Sequence, residues 1–128
     1  FEVTRRNKKV VGNLMYSAKY IMLNRIGITT KLADLYKNPS VIPFLGRSVA
    51  AAPADPANVR IEGSLIKWST SGNVRSVVYH TPSLTKEATV VAITNKNEWP
   101  VSATGHYAIT TINIDNKESN LSKIVEKK

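Results

Sequence analysis

From residue 56 onward the chain alternates apolar and polar positions in short runs. "NVRIEG", "SLIKWS", "RSVVYHT", "ATVVAIT", "NEW", "GHYAITTIN" and "LSKIVE" follow one another, separated by turns of Gly, Asn, Ser, Pro and charged residues. A period of two with β-branched and aromatic residues marks half-buried strands. The clearest run is "GHYAITTINIDNKES": Tyr107, Ile109 and Thr111 fall on one face and Ala108, Thr110 and Ile112 on the other, until Asp115-Asn116-Lys117 ends it. Turn signals every ~8–12 residues predict a seven-stranded sandwich. Within it Ile66 and Trp68 share a face, and Tyr107 opens its strand just after Gly105. Trp68 and Tyr107 are therefore assigned to one core, sealed between two small antiparallel sheets.

The N-terminal third follows a different period. A short apolar run at 10–16 reads as a strand, and Ser17 is placed to cap a turn or two of helix through residue 24. Ile28, Leu32, Leu35 and Tyr36 recur at i, i+4, i+7 and i+8, one apolar stripe of a second helix. Thr29 or Thr30 is expected to cap that helix and Asn38-Pro39 to end it. A lone βα unit leaves strand faces and edges uncovered, so it needs a host. "VIPFLGRSVAAAPADPAN" then has the Pro and Ala content of a stiff connector. The expected organisation is a βα unit at 1–45, a Pro/Ala-rich linker at 46–55 and a sandwich at 56–128.

Length and composition limit the alternatives. At 128 residues there is room for one ordinary domain with an appendage. No apolar run approaches the ~20 residues that span a bilayer. Cysteine is absent, which excludes disulfides and thiolate metal sites. The chain opens with Phe1, without a basic-then-apolar leader, and is expected to be a fragment. The net charge of +9 is unevenly spread: residues 1–47 hold nine Lys/Arg against Glu2 and Asp34, while residues 48–128 hold nine against seven carboxylates. The densest cluster, "RRNKK" at 5–9, lacks interleaved aromatics, so a solvated loop is expected rather than a nucleic-acid surface.

Two resemblances follow from these residues. Pro56-Ala57-Asn58-Val59 as the lead into a first strand, Trp68 on the second, "SVVYHT" as the third and "GHYAITTINIDNKES" as the sixth resemble a fibronectin type III domain, a fold of the immunoglobulin-like class. The order "GNLMYSAKYIM", "LADLYKNPSVIP", a Pro-rich linker and this sandwich resembles the C-terminal end of family 10 glycosyl-hydrolase-like proteins. That resemblance implies a mainly β chain in which residues 10–16 are the last strand of a (β/α)8 barrel and residues 28–37 part of its last helix. It also implies a bacterial lipoprotein, extracellular or periplasmic and tethered to the cell surface. The catalytic barrel of the same parent would be the partner, with polysaccharide as a possible second.

Candidate chemistry is sparse. Glycoside cleavage needs two carboxyl groups roughly 5–10 Å apart. Glu2 sits at a terminus, Asp34 on a helix expected outside the barrel, and Asp55, Glu62, Glu87, Glu98, Asp115, Glu118 and Glu126 scatter over strand ends and turns. No catalytic residue is assigned, and the chain is expected to be an accessory module rather than an enzyme. Tyr16 and Ser17 would line the parent's cleft but read as a packing residue and a cap. Nucleophile-elbow, phosphate-loop and His-x-x-x-His motifs do not occur. His80 and His106 fall out of phase with Val77, Tyr79, Tyr107 and Ile109, which predicts a shared outer face. Without a third ligand no metal is assigned there, and no cofactor. Trp99, in "NEWP", is the one substrate-binding candidate: exposed beside Tyr79 it would make the sandwich a carbohydrate-binding module, whereas buried it belongs to the core.

Overall fold

The computed structural model describes Arg6, residues 18–44, Gly46 and residues 49–128. The strand expected at 10–16, Tyr16, Ser17, Glu2 and most of the basic cluster lie outside the described residues. The chain divides into two units, Phe1–Lys37 and Asn38–Lys128.

In the first unit α1 (Ala18–Met22) is followed by a turn of 3-10 helix (Arg25–Gly27) and by α2 (Ile28–Leu35). Ile28, Leu32 and Leu35 are half-buried while Tyr36 is exposed, so three of the four stripe positions make the covered side. The threonines expected as caps lie inside the helix instead. Gly27 takes the left-handed φ of 70° and acts as N-cap, which starts the helix one residue before Thr29. The Oδ1 of Asn24 reaches across the kink to accept the Thr29 N–H at 2.8 Å, supplying the cap from outside. The Thr29 hydroxyl donates to the Ile21 carbonyl at 2.7 Å. Helix α2 stops at Leu35, before Asn38, the residue whose helical conformation Pro39 disfavours.

Among its described residues the second unit holds seven strands: β1 (Ala57–Glu62), β2 (Leu65–Ser69), β3 (Arg75–Thr81), β4 (Thr89–Thr94), β5 (Glu98–Pro100), β6 (Gly105–Ile112) and β7 (Val125–Lys127). They form a three-stranded sheet, β1-β2-β5, and a four-stranded sheet, β4-β3-β6-β7. Every neighbouring pair is antiparallel. The fold is mainly β, two antiparallel sheets as in a β-sandwich. Gly63 begins the two-residue β1–β2 turn at φ 62°, a conformation that hairpin turns of this length assign to glycine. The edges are blunted. Both longer edge strands, β1 and β4, carry a register irregularity, and the other two, β5 and β7, are three residues long. Bulges and short edges discourage pairing with a further chain.

Ile66, Trp68, Val78, Ala92, Val101, Tyr107 and Ile109 form one buried cluster, with Val59, Ile61, Val91, Trp99 and Val125 packed against it. Trp68 and Tyr107 thus share a core as expected. The Trp68 indole N–H donates to the Ser76 hydroxyl at 2.8 Å, so its polar edge is satisfied inside the core. Fully burying side chains of this kind stabilises by about 1.5–3 kcal/mol each.

Strand β3 is phased differently from the expectation. Cross-strand partners share a face, and Val78 pairs with Ile109 while Val77 pairs with Thr110. The interior cluster contains Val78 and Ile109, so Ser76, Val78 and His80 face inward and Val77, Tyr79 and Thr81 face out. Val77, Ala108, Thr110 and Ile112 are buried all the same. Part of their cover is Glu118, from the β6–β7 connection.

That connection differs too. Alternation predicts "LSKIVE" as the seventh strand, yet the regular strand is only Val125–Lys127. Upstream of it two serines take over the pairing. Ser122 N–H donates to the Ile109 carbonyl at 2.9 Å while its hydroxyl accepts the Ile109 N–H at 2.9 Å. Ser119 repeats the arrangement on Thr111, at 2.9 and 3.0 Å. A hydroxyl replaces a backbone carbonyl at each step, so β6 keeps its hydrogen bonds while its neighbour leaves strand geometry.

The segment expected as a connector is tied to this same edge. The carbonyls of Ala50, Ala51 and Ala54 accept from the Lys117 ammonium, the Asn113 amide and the Thr111 hydroxyl, at 2.9, 3.2 and 2.7 Å. Asp55 accepts the N–H of Asn120 at 2.9 Å and its side-chain amide at 3.3 Å. Lys117 Nζ also lies 5.4 Å from the Phe44 ring centroid.

Candidate functional site

Several described carboxylates are engaged as structural acceptors. Glu62, at the exposed end of β1, receives Arg60 Nε at 2.5 Å and Lys67 Nζ at 2.9 Å. The hydrogen bond from Lys67, then that from Arg60, holds its carboxyl down to about 2. Asp34, on α2, meets Lys37 just past the helix end at 3.4 Å, and Asp55 anchors Asn120. Glu118 accepts from Tyr79 Oη at 2.6 Å and from Thr110 Oγ1 at 2.5 Å. Burial, and secondly this hydrogen bond, pushes the Tyr79 phenol up to about 12. These groups hold the fold's surface together.

The two histidines do not share a face. His80 pairs with Tyr107 and His106 with Thr81, neighbouring positions that point to opposite sides of the sheet. The error in phase is the one that moved Val77 and Tyr79 outward. His80 lies against the Tyr107 ring with centroids 4.7 Å apart, and its Nε2 is 3.0 Å from the Thr104 carbonyl. Among the described residues no group of three His, Cys, Asp or Glu side chains could hold a metal.

Trp99, the sugar-platform candidate, is directed inward. It pairs with Ile66 on the inner face of β1-β2-β5 and packs half-buried against the core. Tyr79 lies on the outer face of the other sheet. The two rings therefore do not form a common stacking surface, because strand alternation sends them to different sides of the sandwich.

At one end of the four-stranded sheet the turns after β2, β4 and β6 converge on a cleft of about 270 Å³. It is lined by Asn73, Val74, Arg75, Asn95 and Ile112, with Asn113 and Ile114 completing the wall. The Arg75 guanidinium donates to Asn116 Oδ1 at 2.9 Å. Asn113 Oδ1 accepts the N–H groups of Asp115 and Lys117 at 3.0 and 2.9 Å, which closes the β6–β7 turn on itself. None of these residues stands out in the sequence. They lie at strand ends separated by some twenty positions, where Asn reads simply as turn chemistry.

No family model, curated protein or solved structure matches this chain. None of its helices is long and apolar enough to cross a membrane, among the described residues.

Proposed function

We propose that residues 56–128 are a fibronectin type III-like sandwich serving as a non-catalytic accessory module. In its host it would pack against and position a glycosidase-like barrel outside the cytoplasm. The observation that carries the fold assignment is a tyrosine corner: Tyr107, near the start of β6, donates its phenol to the carbonyl of Ala103, four residues upstream, at 2.9 Å. Immunoglobulin-like sandwiches use this bond to fix the crossing into their sixth strand. The strand order supports the fibronectin branch. Here the fourth strand pairs with the third, whereas constant-type immunoglobulin domains place it in the other sheet.

The non-catalytic reading draws support from the carboxylates. Those described with partners are committed to Lys, Arg, Asn, Tyr or Thr rather than to one another. The barrel host draws support from the order of helices, Pro-rich segment and sandwich along the chain. The test is a reducing-end assay of the full chain on β-glucans, xylan and peptidoglycan. No release above the blank is expected; saturable turnover would overturn the proposal.

A further inference from the structure

We propose that the cleft at the end of the four-stranded sheet binds the carboxylate-bearing ring of an acidic sugar, a hexuronate unit. This stands on the cleft alone and does not require the accessory-module reading.

Size sets the first limit. A volume of about 270 Å³ lies just under the range of ~300–1,000 Å³ typical of sites for drug-sized ligands, so it suits a single ring rather than an extended chain. The lining sets the second. Val74 and Ile114 provide apolar wall over the buried Ile112, and Asn73 and Asn95 bring amides, neutral groups that both donate and accept. A pyranose presents the same combination, a C–H surface edged by hydroxyls that donate and accept. Ile114 is 91 % exposed, so a ring seated against it would cover apolar surface that now faces water.

Charge selects among sugars. Arg75 is the only charged residue in the lining, and its guanidinium is steadied by a neutral amide, Asn116 Oδ1 at 2.9 Å. A guanidinium carries five donors in a planar fork that matches a carboxylate, and this bond occupies one of them. A uronate satisfies both the amide-and-apolar wall and the cation. A neutral sugar meets only the first, and a simple carboxylate only the second.

The site is also held in shape. Asn116 takes a left-handed φ of 60°, its N–H donates to the Asn113 carbonyl at 3.1 Å, and Asn113 N–H donates to the Lys117 carbonyl at 3.1 Å. With the two bonds to Asn113 Oδ1, these lock the turn that presents Asn116 to Arg75. Preorganisation of this kind lowers the ordering cost of binding.

The experiment is an amide-resolved NMR titration of the full chain with glucuronate and galacturonate, against glucose and acetate. Saturable shifts at residues 73–75, 95 and 112–116 are expected with the uronates. Arg75→Gln should weaken them at least about tenfold, as loss of a charge-assisted hydrogen bond does, and the same spectra report whether that variant is folded. Arg75→Lys, which keeps the charge without the fork, should fall between. The proposal is overturned if no saturable shift appears, if glucose or acetate binds as well as the uronates, or if folded Arg75→Gln binds like the parent.

Discussion

Gly105 is the position where a single methyl group should be felt most. It opens β6 at φ +126°, a backbone conformation that residues with a side chain rarely adopt. A Cβ built there would lie 2.6 Å from the Thr81 carbonyl oxygen, 2.9 Å from His80 Nε2 and 3.0 Å from Pro82 Cα. The nearest of these is backbone of the paired strand, which cannot swing away as a side-chain tip can. Gly105→Ala therefore combines backbone strain of roughly 1–3 kcal/mol with overpacking of roughly 1–3 kcal/mol. The total, about 2–6 kcal/mol, is a large part of the ~5–15 kcal/mol that stabilises an ordinary domain. Gly63→Ala is the control, since Gly63 also has positive φ, 62°, but nothing lies within 4 Å of its added Cβ. It should show a left-handed backbone cost without overpacking, and a smaller one, since φ 62° is an allowed left-handed conformation and φ 126° is not. Urea unfolding followed by fluorescence of Trp68 and Trp99, both in the sandwich, gives the two values at a common slope. Gly105→Ala should exceed Gly63→Ala by at least the overpacking cost of about 1–3 kcal/mol. Equal costs would refute the close approach and, with it, the packing of the β5–β6 crossing against the end of β3.

Three further outcomes are expected. Tyr107→Phe removes the bond to the Ala103 carbonyl and should cost about 0.5–1.5 kcal/mol in the same urea experiment. Because Ala103 is exposed, its carbonyl regains water and the value should sit low in that range; no loss would deny the corner a stabilising role. Ser122→Ala strips the partner from the buried Ile109 N–H and should cost about 1–3 kcal/mol. Hydrogen exchange at Ile109 should quicken more than at Val78, and unchanged exchange would contradict the serine pairing. Tyr79 supplies a pH dependence. Its folded pKa, about 12, lies above the ordinary 10, so the folded state holds the proton more tightly. The resulting stability is present in full below pH ~10 and is lost as pH rises toward ~12, through the unfolded and then the folded value. Thermal midpoints over that window should fall less steeply in Tyr79→Phe, with slope remaining from Tyr107, whose phenol burial also raises. Parallel curves would remove Tyr79 as a source.

The elements of the sandwich were legible because period-two alternation bounded by turn residues is a local property. The runs around β1 to β6 begin and end within a residue or two of the observed strands. The run before β7 misled because Ser119 and Ser122 pair with β6 through their hydroxyls, which alternation does not record. The caps of α2 were hidden for a similar reason: Asn24 acts across a kink at Ile26, whose φ of 57° is left-handed.

By itself, then, the sequence determined that residues 56–128 form short antiparallel strands around Trp68 and Tyr107. Hydrophobic periodicity and turn chemistry act over a few residues and need no knowledge of partners. Only the tertiary structure decided which side of β3 looks inward, because Ser76-Val77-Val78-Tyr79 is buried or half-buried on both sides and its two phases offer similar apolar content. That choice separated His80 from His106 and Tyr79 from Trp99. Tertiary packing alone also assembled the Arg75 cleft, whose residues come from strand ends distant in sequence and meet only when the turns converge.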